Sequence, residues 1–301
     1  MAGQFAVAFS SQLIGSGIVA GGPFYCAGID GPRFMSNAIE RCMTPLGAAP
    51  SAKLALDHAK KFEAQKDIDA LSNLKKHRIY IFSGSADNIV STKVVDQTHN
   101  FYVLAGVPQG QIRYVTNLNA GHALLTDNTL DLACAVNAAP NINNCGFFQS
   151  HDILRHIYGN LAAPVQRLAG GLQSFDQTEF FEGLPRHGMA SNGQVYVPES
   201  CQRDRCRVHV VFHGCTQEES RIGTRFYGTT GYNEIADNNH LIILYPQIKT
   251  DPARNPQGCW DFWGYSSADE TAPDFYTQSA PQMQAVMRMV QRLSSGSGSM
   301  K

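Results

Sequence analysis

Charge is scarce in this chain. Asp, Glu, Lys and Arg make up 16% of its 301 residues, against roughly 25% in soluble domains at large, and the two signs nearly cancel, 24 basic to 25 acidic. A net charge of −1 supplies no field to attract a polyanion, which excludes nucleic acid and an anionic membrane surface as electrostatic partners. Long apolar runs are missing as well. Stretches such as Phe5 to Phe9 and Leu241 to Tyr245 span about five residues, where a membrane-crossing helix needs ~20. Met1 to Ile29 hold no charged residue, so they lack the basic region of a secretory signal. Cys-x-x-Cys and His-Glu-x-x-His are absent too, and no metal or cofactor is implied.

Eight cysteines are present, in the order Cys26, Cys42, Cys134, Cys145, Cys201, Cys206, Cys215 and Cys259. An even count at such spacings suggests disulfides and thus an oxidising, extracellular compartment. About 105 pairings are possible for eight thiols and spacing does not choose among them, although sequential pairing is expected. The length suits one large domain, taken as 1–293, with a disordered Ser/Gly tail over 294–301.

Met1 to Phe9 read as a buried helix that begins without a cap. Gly17 to Gly22 read as a buried strand ending in a glycine loop. A helix is expected over 51–65, with Leu54, Leu56 and Phe62 inward. Arg78 to Ser83 and Gln111 to Thr116 read as strands flanking a helix over 94–104. From 117 to 193 the chain reads as loops around one helix, 151–158. Gln194 to Pro198 and Arg207 to Phe212 read as a hairpin clipped by its own cysteines. A helix over 230–239, a strand over 241–245, a long aromatic loop over 247–277 and a helix over 281–293 complete the order. Strand, loop with a polar residue, helix, strand is the rhythm of an α/β fold with a mostly parallel sheet.

Asp87 follows one of these strands and His122 the next. In open α/β sheets the loops at the carboxyl ends of the strands converge on one crevice, so the two side chains can meet there. An aspartate that accepts the Nδ1 proton of a histidine is the supporting half of a Ser-His-Asp hydrolase. Taken singly, the same residues also suit a turn and a loop. His213-Gly214-Cys215 at a strand end is similar to the His-Gly oxyanion loop of α/β-hydrolases.

Ile18 to Ala27, Ser83-Gly-Ser-Ala-Asp87, Gly121-His122, Val211-Phe-His-Gly-Cys-Thr-Gln217, Leu244-Tyr-Pro-Gln247 and Gly258-Cys-Trp-Asp261 together resemble the extracellular poly(3-hydroxybutyrate) depolymerases. The resemblance is to the single-domain type with a circularly permuted α/β-hydrolase fold, and it covers nearly the whole chain. It implies the sequential disulfides, catalytic roles for Asp87 and His122, and an oxyanion donor in the backbone of Cys215. The family's crevice-lining aromatic position falls on Phe262, where the family pattern has tryptophan. Trp260, Phe262 and Tyr265 are accordingly expected to line an exposed crevice that grips a polyester, with core filling as the alternative.

In that family a Gly-Leu-Ser-Ser-Gly-Gly-Tyr segment bearing the nucleophile precedes the helix that resembles Met1 to Ser10. No Gly-x-Ser-x-Gly occurs in this chain, and Gly264-Tyr-Ser-Ser-Ala268, the nearest approach, lies in a loop. The expectation is therefore a chain truncated before its nucleophile strand, inactive and poorly stable. The expected family reaction is serine-esterase cleavage of a short-chain polyhydroxyalkanoate by a secreted monomer. The rivals are an esterase for another ester, feruloyl or acetyl, and a polymer-binding pseudoenzyme.

Overall fold

The computed structural model describes residues 1–295. Arg78-Ile-Tyr-Ile-Phe82 forms a strand whose last four side chains are all buried. A strand covered on both faces shows an unbroken apolar run rather than alternation. Numbered along the chain, β1 (Gly15–Val19), β2 (Arg78–Phe82) and β3 (Ile112–Val115) form one sheet, with β2 central and parallel to both neighbours. Parallel neighbours need a crossover, and the helix Thr92–Leu104 supplies it between β2 and β3. The helix Ala52–Gln65 packs on that crossover, its start capped by Ser51 Oγ, which accepts from Leu54 N at 3.3 Å.

A small parallel sheet of β4 (Leu124–Thr126), β5 (Leu132–Ala133) and β6 (Ile142–Asn144) is ordered β4-β6-β5. The remaining strands, β7 (Gly171–Asp176), β8 (Asn192–Val197), β9 (Arg207–Val210) and β10 (Leu241–Tyr245), are ordered β7-β8-β10-β9. Here β10 is parallel to β9 and antiparallel to β8. Among the described residues β1 and β9 each pair on one side only. The strand leading to the His-Gly loop therefore comes late in the chain, after the strands that carry Asp87 and His122, as a permuted order requires.

One apolar core draws on Phe5, Ile18, Phe62, Val94, Leu244 and Met283, and the final helix Pro281–Ser294 turns Met283, Val286, Met287, Met289 and Leu293 into it. Disulfides join Cys26 to Cys42, Cys134 to Cys145, Cys201 to Cys206 and Cys215 to Cys259. Cross-links that close loops of this size each stabilise by about 2–4 kcal/mol, largely by restricting the unfolded chain.

Several local expectations are corrected. Gln194 to Pro198 and Arg207 to Phe212 are not a hairpin, because β10 lies between β8 and β9. The Cys201–Cys206 bond closes a 3-10 turn in the connection instead. The segment 117–193 is not merely loops, since it holds β4, β5, β6 and β7. Leu54 faces outward at 43% exposure, while Leu56 and Phe62 are buried. Ser294 belongs to the last helix, and 296–301, most of the expected tail, lies outside the described residues.

Candidate functional site

Beyond β2 the chain crosses the segment that follows β3 at backbone contact. Ser85 N donates to Leu118 O at 2.9 Å and Ala86 N to Ala120 O at 3.0 Å. A Cβ at Gly84 would lie 2.1 Å from Ala120 O, and one at Gly121 would lie 2.1 Å from Val136 O. Glycine at 84 lets these two loops touch, and glycine at 121 lets the turn between β5 and β6 close on the second of them. Asp87 Oδ1 then accepts from Ile89 N and Val90 N, both at 2.8 Å, closing the loop on itself. Asp87 Oδ2 is left for the neighbouring loop, where it accepts from His122 Nδ1 at 2.9 Å.

The carboxylate is fully covered, whereas the His122 side chain is 28% exposed. Because a carboxylate only accepts, Nδ1 carries a proton, and in the neutral ring Nε2 is then the acceptor. Among the described residues Nε2 has no hydrogen-bond partner. This is the arrangement of an oriented general base.

The chain leaving β9 completes the geometry. Across Gly214 to Gln217, Gly214 N donates to Gln217 Oε1 at 2.7 Å, Thr216 N to Gln257 O at 2.7 Å and Gln217 N to Gly214 O at 3.3 Å. The amide of Cys215 alone in this run has no partner among the described residues. His213 Nδ1 donates to Gly214 O at 2.8 Å. That carbonyl and the Cys215 N–H belong to one planar peptide, so pinning the oxygen aims the N–H the other way. Burial pushes the His213 imidazole down to about 4, so the ring is neutral and its one proton stays on Nδ1.

The His-Gly loop and the His122 loop share a third segment. Gln217 Nε2 donates to Pro140 O and Asn141 O, both at 2.9 Å. With its amide nitrogen facing carbonyls, Asn141 donates to His122 O at 3.1 Å and accepts from Thr216 Oγ1 at 3.0 Å. The structure thus brings Asp87, His122 and Cys215 into one connected network. Sequence reasoning gave no role to Gln217, which it read only as the end of the His-Gly-Cys motif, and passed over Asn141 and Asn137, because single amides in an Asn-rich loop carry no periodic or motif signal.

The aromatic residues behave differently. Trp260 and Tyr265 do not line an exposed crevice: they are 4% and 7% exposed and belong to the interior. Trp260 packs edge-on against Phe212 at 5.0 Å. Tyr265 Oη donates to Cys259 O and accepts from Gln282 Nε2, both at 2.7 Å. The cause is Asp261 between them. Its two oxygens accept from the amides of Trp263, Gly264, Tyr265 and Ser266 and from Ser266 Oγ, which folds the segment inward. Phe262 is half-buried, edge-on to Trp263 at 4.8 Å. A cavity of about 440 Å³ between Tyr158, Arg205, Arg207 and His240 lies at the opposite, amino-terminal ends of β9 and β10, away from Asp87 and His122. Among the described residues no group of His, Cys, Asp and Glu could hold a metal, and no helix is long and apolar enough to cross a membrane.

Parallel strands under helices, with an Asp–His pair and a His-Gly loop at their carboxyl ends, define an α/β hydrolase. No protein-family model matches the chain. It is 38% identical over 304 residues to a poly(3-hydroxybutyrate) depolymerase of Delftia acidovorans, covering 99% of this chain but 58% of that protein's length. It is 34% identical over 318 residues to a polyhydroxybutyrate depolymerase of Talaromyces funiculosus, covering 98% of this chain and 86% of the relative. The crystal structure of PHB depolymerase from Penicillium funiculosum superposes with a TM-score of 0.85 at 31% identity, over 97% of this chain and 91% of that one. A serine-to-alanine PHB depolymerase complexed with an R3HB trimer superposes equally well, at 32% identity. The chain belongs to the polyhydroxybutyrate depolymerase family.

Proposed function

We propose that residues 1–293 form one α/β-hydrolase domain carrying the histidine, aspartate and oxyanion-donor parts of a secreted serine esterase for short-chain polyhydroxyalkanoate. The carrying observation is the Asp87–His122 contact at 2.9 Å, together with an Nε2 and a Cys215 amide that have no hydrogen-bond partner among the described residues. In the reaction a serine hydroxyl gives its proton to His122 Nε2 as its oxygen attacks the ester carbonyl. Asp87 stabilises the imidazolium, and the Cys215 N–H meets the oxyanion. His122 then protonates the departing alkoxide, and water repeats the sequence on the acyl-enzyme. The relatives' names and the bound R3HB trimer support a hydroxybutyrate ester as substrate. Four disulfides support an oxidising setting.

No hydroxyl among the described residues bonds to His122 Nε2, so the nucleophile is assigned to none of them. That observation favours a second reading, polymer binding without hydrolysis by these 301 residues alone. Two measurements test the proposal. Titrating the R3HB trimer into isotope-labelled protein should shift the Cys215 amide and the His122 ring; shifts at neither overturn the substrate site, and a response to methyl ferulate instead favours a feruloyl ester. Turnover of p-nitrophenyl butyrate that a serine-directed phosphonate abolishes would show that a serine in the chain does reach Nε2.

A further inference from the structure

Asn137 lies in the turn between β5 and β6, outside the sequence motifs, yet its side chain touches both loops of the Asp–His pair. Its Oδ1 accepts from His122 N at 2.8 Å and from Asn88 N, one residue past Asp87, at 3.2 Å. Its Nδ2 donates to Ala86 O, one residue before Asp87, at 2.9 Å and to Ala135 O of its own turn at 3.3 Å. All four bonding positions of a carboxamide are therefore used, three of them on the peptides that flank Asp87 and His122.

The turn that presents Asn137 is itself held from behind. The fully buried Asn143 donates through Nδ2 to Cys134 O at 2.9 Å and to Val136 O at 2.7 Å. Gly121 N, beside His122, donates to Cys134 O at 2.8 Å. The Cys134–Cys145 bond ties the turn across to the end of β6. Loops usually tolerate drift of an ångström or more, and a base and its orienting carboxylate do not.

We infer that Asn137 is a positioning residue that holds the Asp87 loop and the His122 loop in hydrogen-bonding register through its shared Oδ1. The inference rests on the proposed roles of Asp87 and His122. It goes beyond them because Asn137 touches neither side chain and acts through their backbones. Oδ1 carries the bonds that bridge the loops, so alanine at 137 should lose the function; aspartate, whose second oxygen would face Ala86 O and Ala135 O where Nδ2 now donates, should preserve it only with its carboxyl protonated.

The test reads the pair directly in the 301-residue protein, without turnover. A histidine Nδ1 proton bonded to a carboxylate gives a far-downfield proton NMR resonance, which Asp87→Asn should abolish and thereby assign. Asn137→Ala is expected to lose this resonance while the rest of the spectrum stays dispersed, and Asn137→Asp to retain it in mildly acidic buffer, where a protonated carboxyl keeps the shared acceptor and donates in place of Nδ2. An unchanged resonance in Asn137→Ala overturns the clamp and leaves the pair intact. Loss of it in both Asn137 variants in mildly acidic buffer overturns the role of Oδ1. A wild-type spectrum without the resonance, or one that survives Asp87→Asn, overturns the pair and the clamp with it. General unfolding of Asn137→Ala, with Asn137→Asp folded and retaining the signal, would make Asn137 a stability residue and refute a positioning role.

Discussion

Two irregular segments of this molecule are each organised around one covered aspartate, and the two carboxylates do opposite work. Asp261 spends both oxygens on its own segment, accepting five bonds from residues 263 to 266. Trp260 and Tyr265, on either side of it, are drawn into the interior. Asp87 spends one oxygen on its own loop and keeps the other for His122 on a different loop. A carboxylate satisfied by its own segment builds core, and one with an oxygen in reserve can serve chemistry. The same division shows in the donors, since those on Asp261 are nearly all backbone amides, whereas the donor on Asp87 Oδ2 is a partly exposed ring.

The sharpest way to break this comparison is to remove each carboxylate. Asp261→Ala strands five donors, four of them buried, and should cost about 3–5 kcal/mol in urea unfolding, the range for opening a buried charged network. Asp87→Asn keeps the side chain's shape and an acceptor oxygen, and should cost about 1 kcal/mol or less while abolishing the His122 Nδ1 signal. Equal losses would erase the distinction. The next largest effect is expected where the functional loops cross. Gly84→Ala places a methyl against Ala120 O and should destabilise by about 1–3 kcal/mol, with the Nδ1 signal lost because the loops separate.

Acid provides a third probe. The buried His213 is held down to about 4 from an ordinary 6.5, so on acidification the unfolded chain takes up a proton that the folded chain refuses. The stability this ring contributes is whole above pH 6.5 and is lost as pH falls toward 4. Between pH 6.5 and 5 the loss is about 2 kcal/mol, and thermal melts of wild type and His213→Asn should converge over that range. The smallest effect is reserved for Phe262. Being half-buried, it should tolerate alanine with a Tm shift of about 2–4 °C or less, while binding to polymer film drops; Trp260→Ala should instead unfold more readily by about 3–5 kcal/mol.

Much of the fold was legible because it is locally encoded. The run from Leu241 to Tyr245 and the stripe of Met283, Val286, Met287 and Leu293 form their elements because burial pattern and period agree. The hairpin expected across residues 194–212 failed for a reason that proximity in sequence hides: β10, which arrives about 30 residues later in the chain, takes the place between the two strands. Three-residue strands such as β4 and β6 lie below the length at which alternation can be read. Trp260 and Tyr265 were misplaced because an aromatic-rich loop looks alike whether its rings face solvent or core. The orientation was decided by the shape that Asp261 imposes.

By itself the sequence determined the strand-loop-helix rhythm, the eight cysteines, and the positions of Asp87, His122 and Cys215 at strand ends. Each of these is a property of a short window or of residue type. Only the tertiary structure decided that Asp87 and His122, 35 positions apart, share a hydrogen bond. It alone showed that Asn137 bridges their loops, that Cys215 presents an amide without a partner among the described residues, and that Trp260 is core. The physical reason is that such pairings depend on where backbones cross, and a crossing is set by the packing of whole elements, which leaves no periodic mark on the residues that meet there.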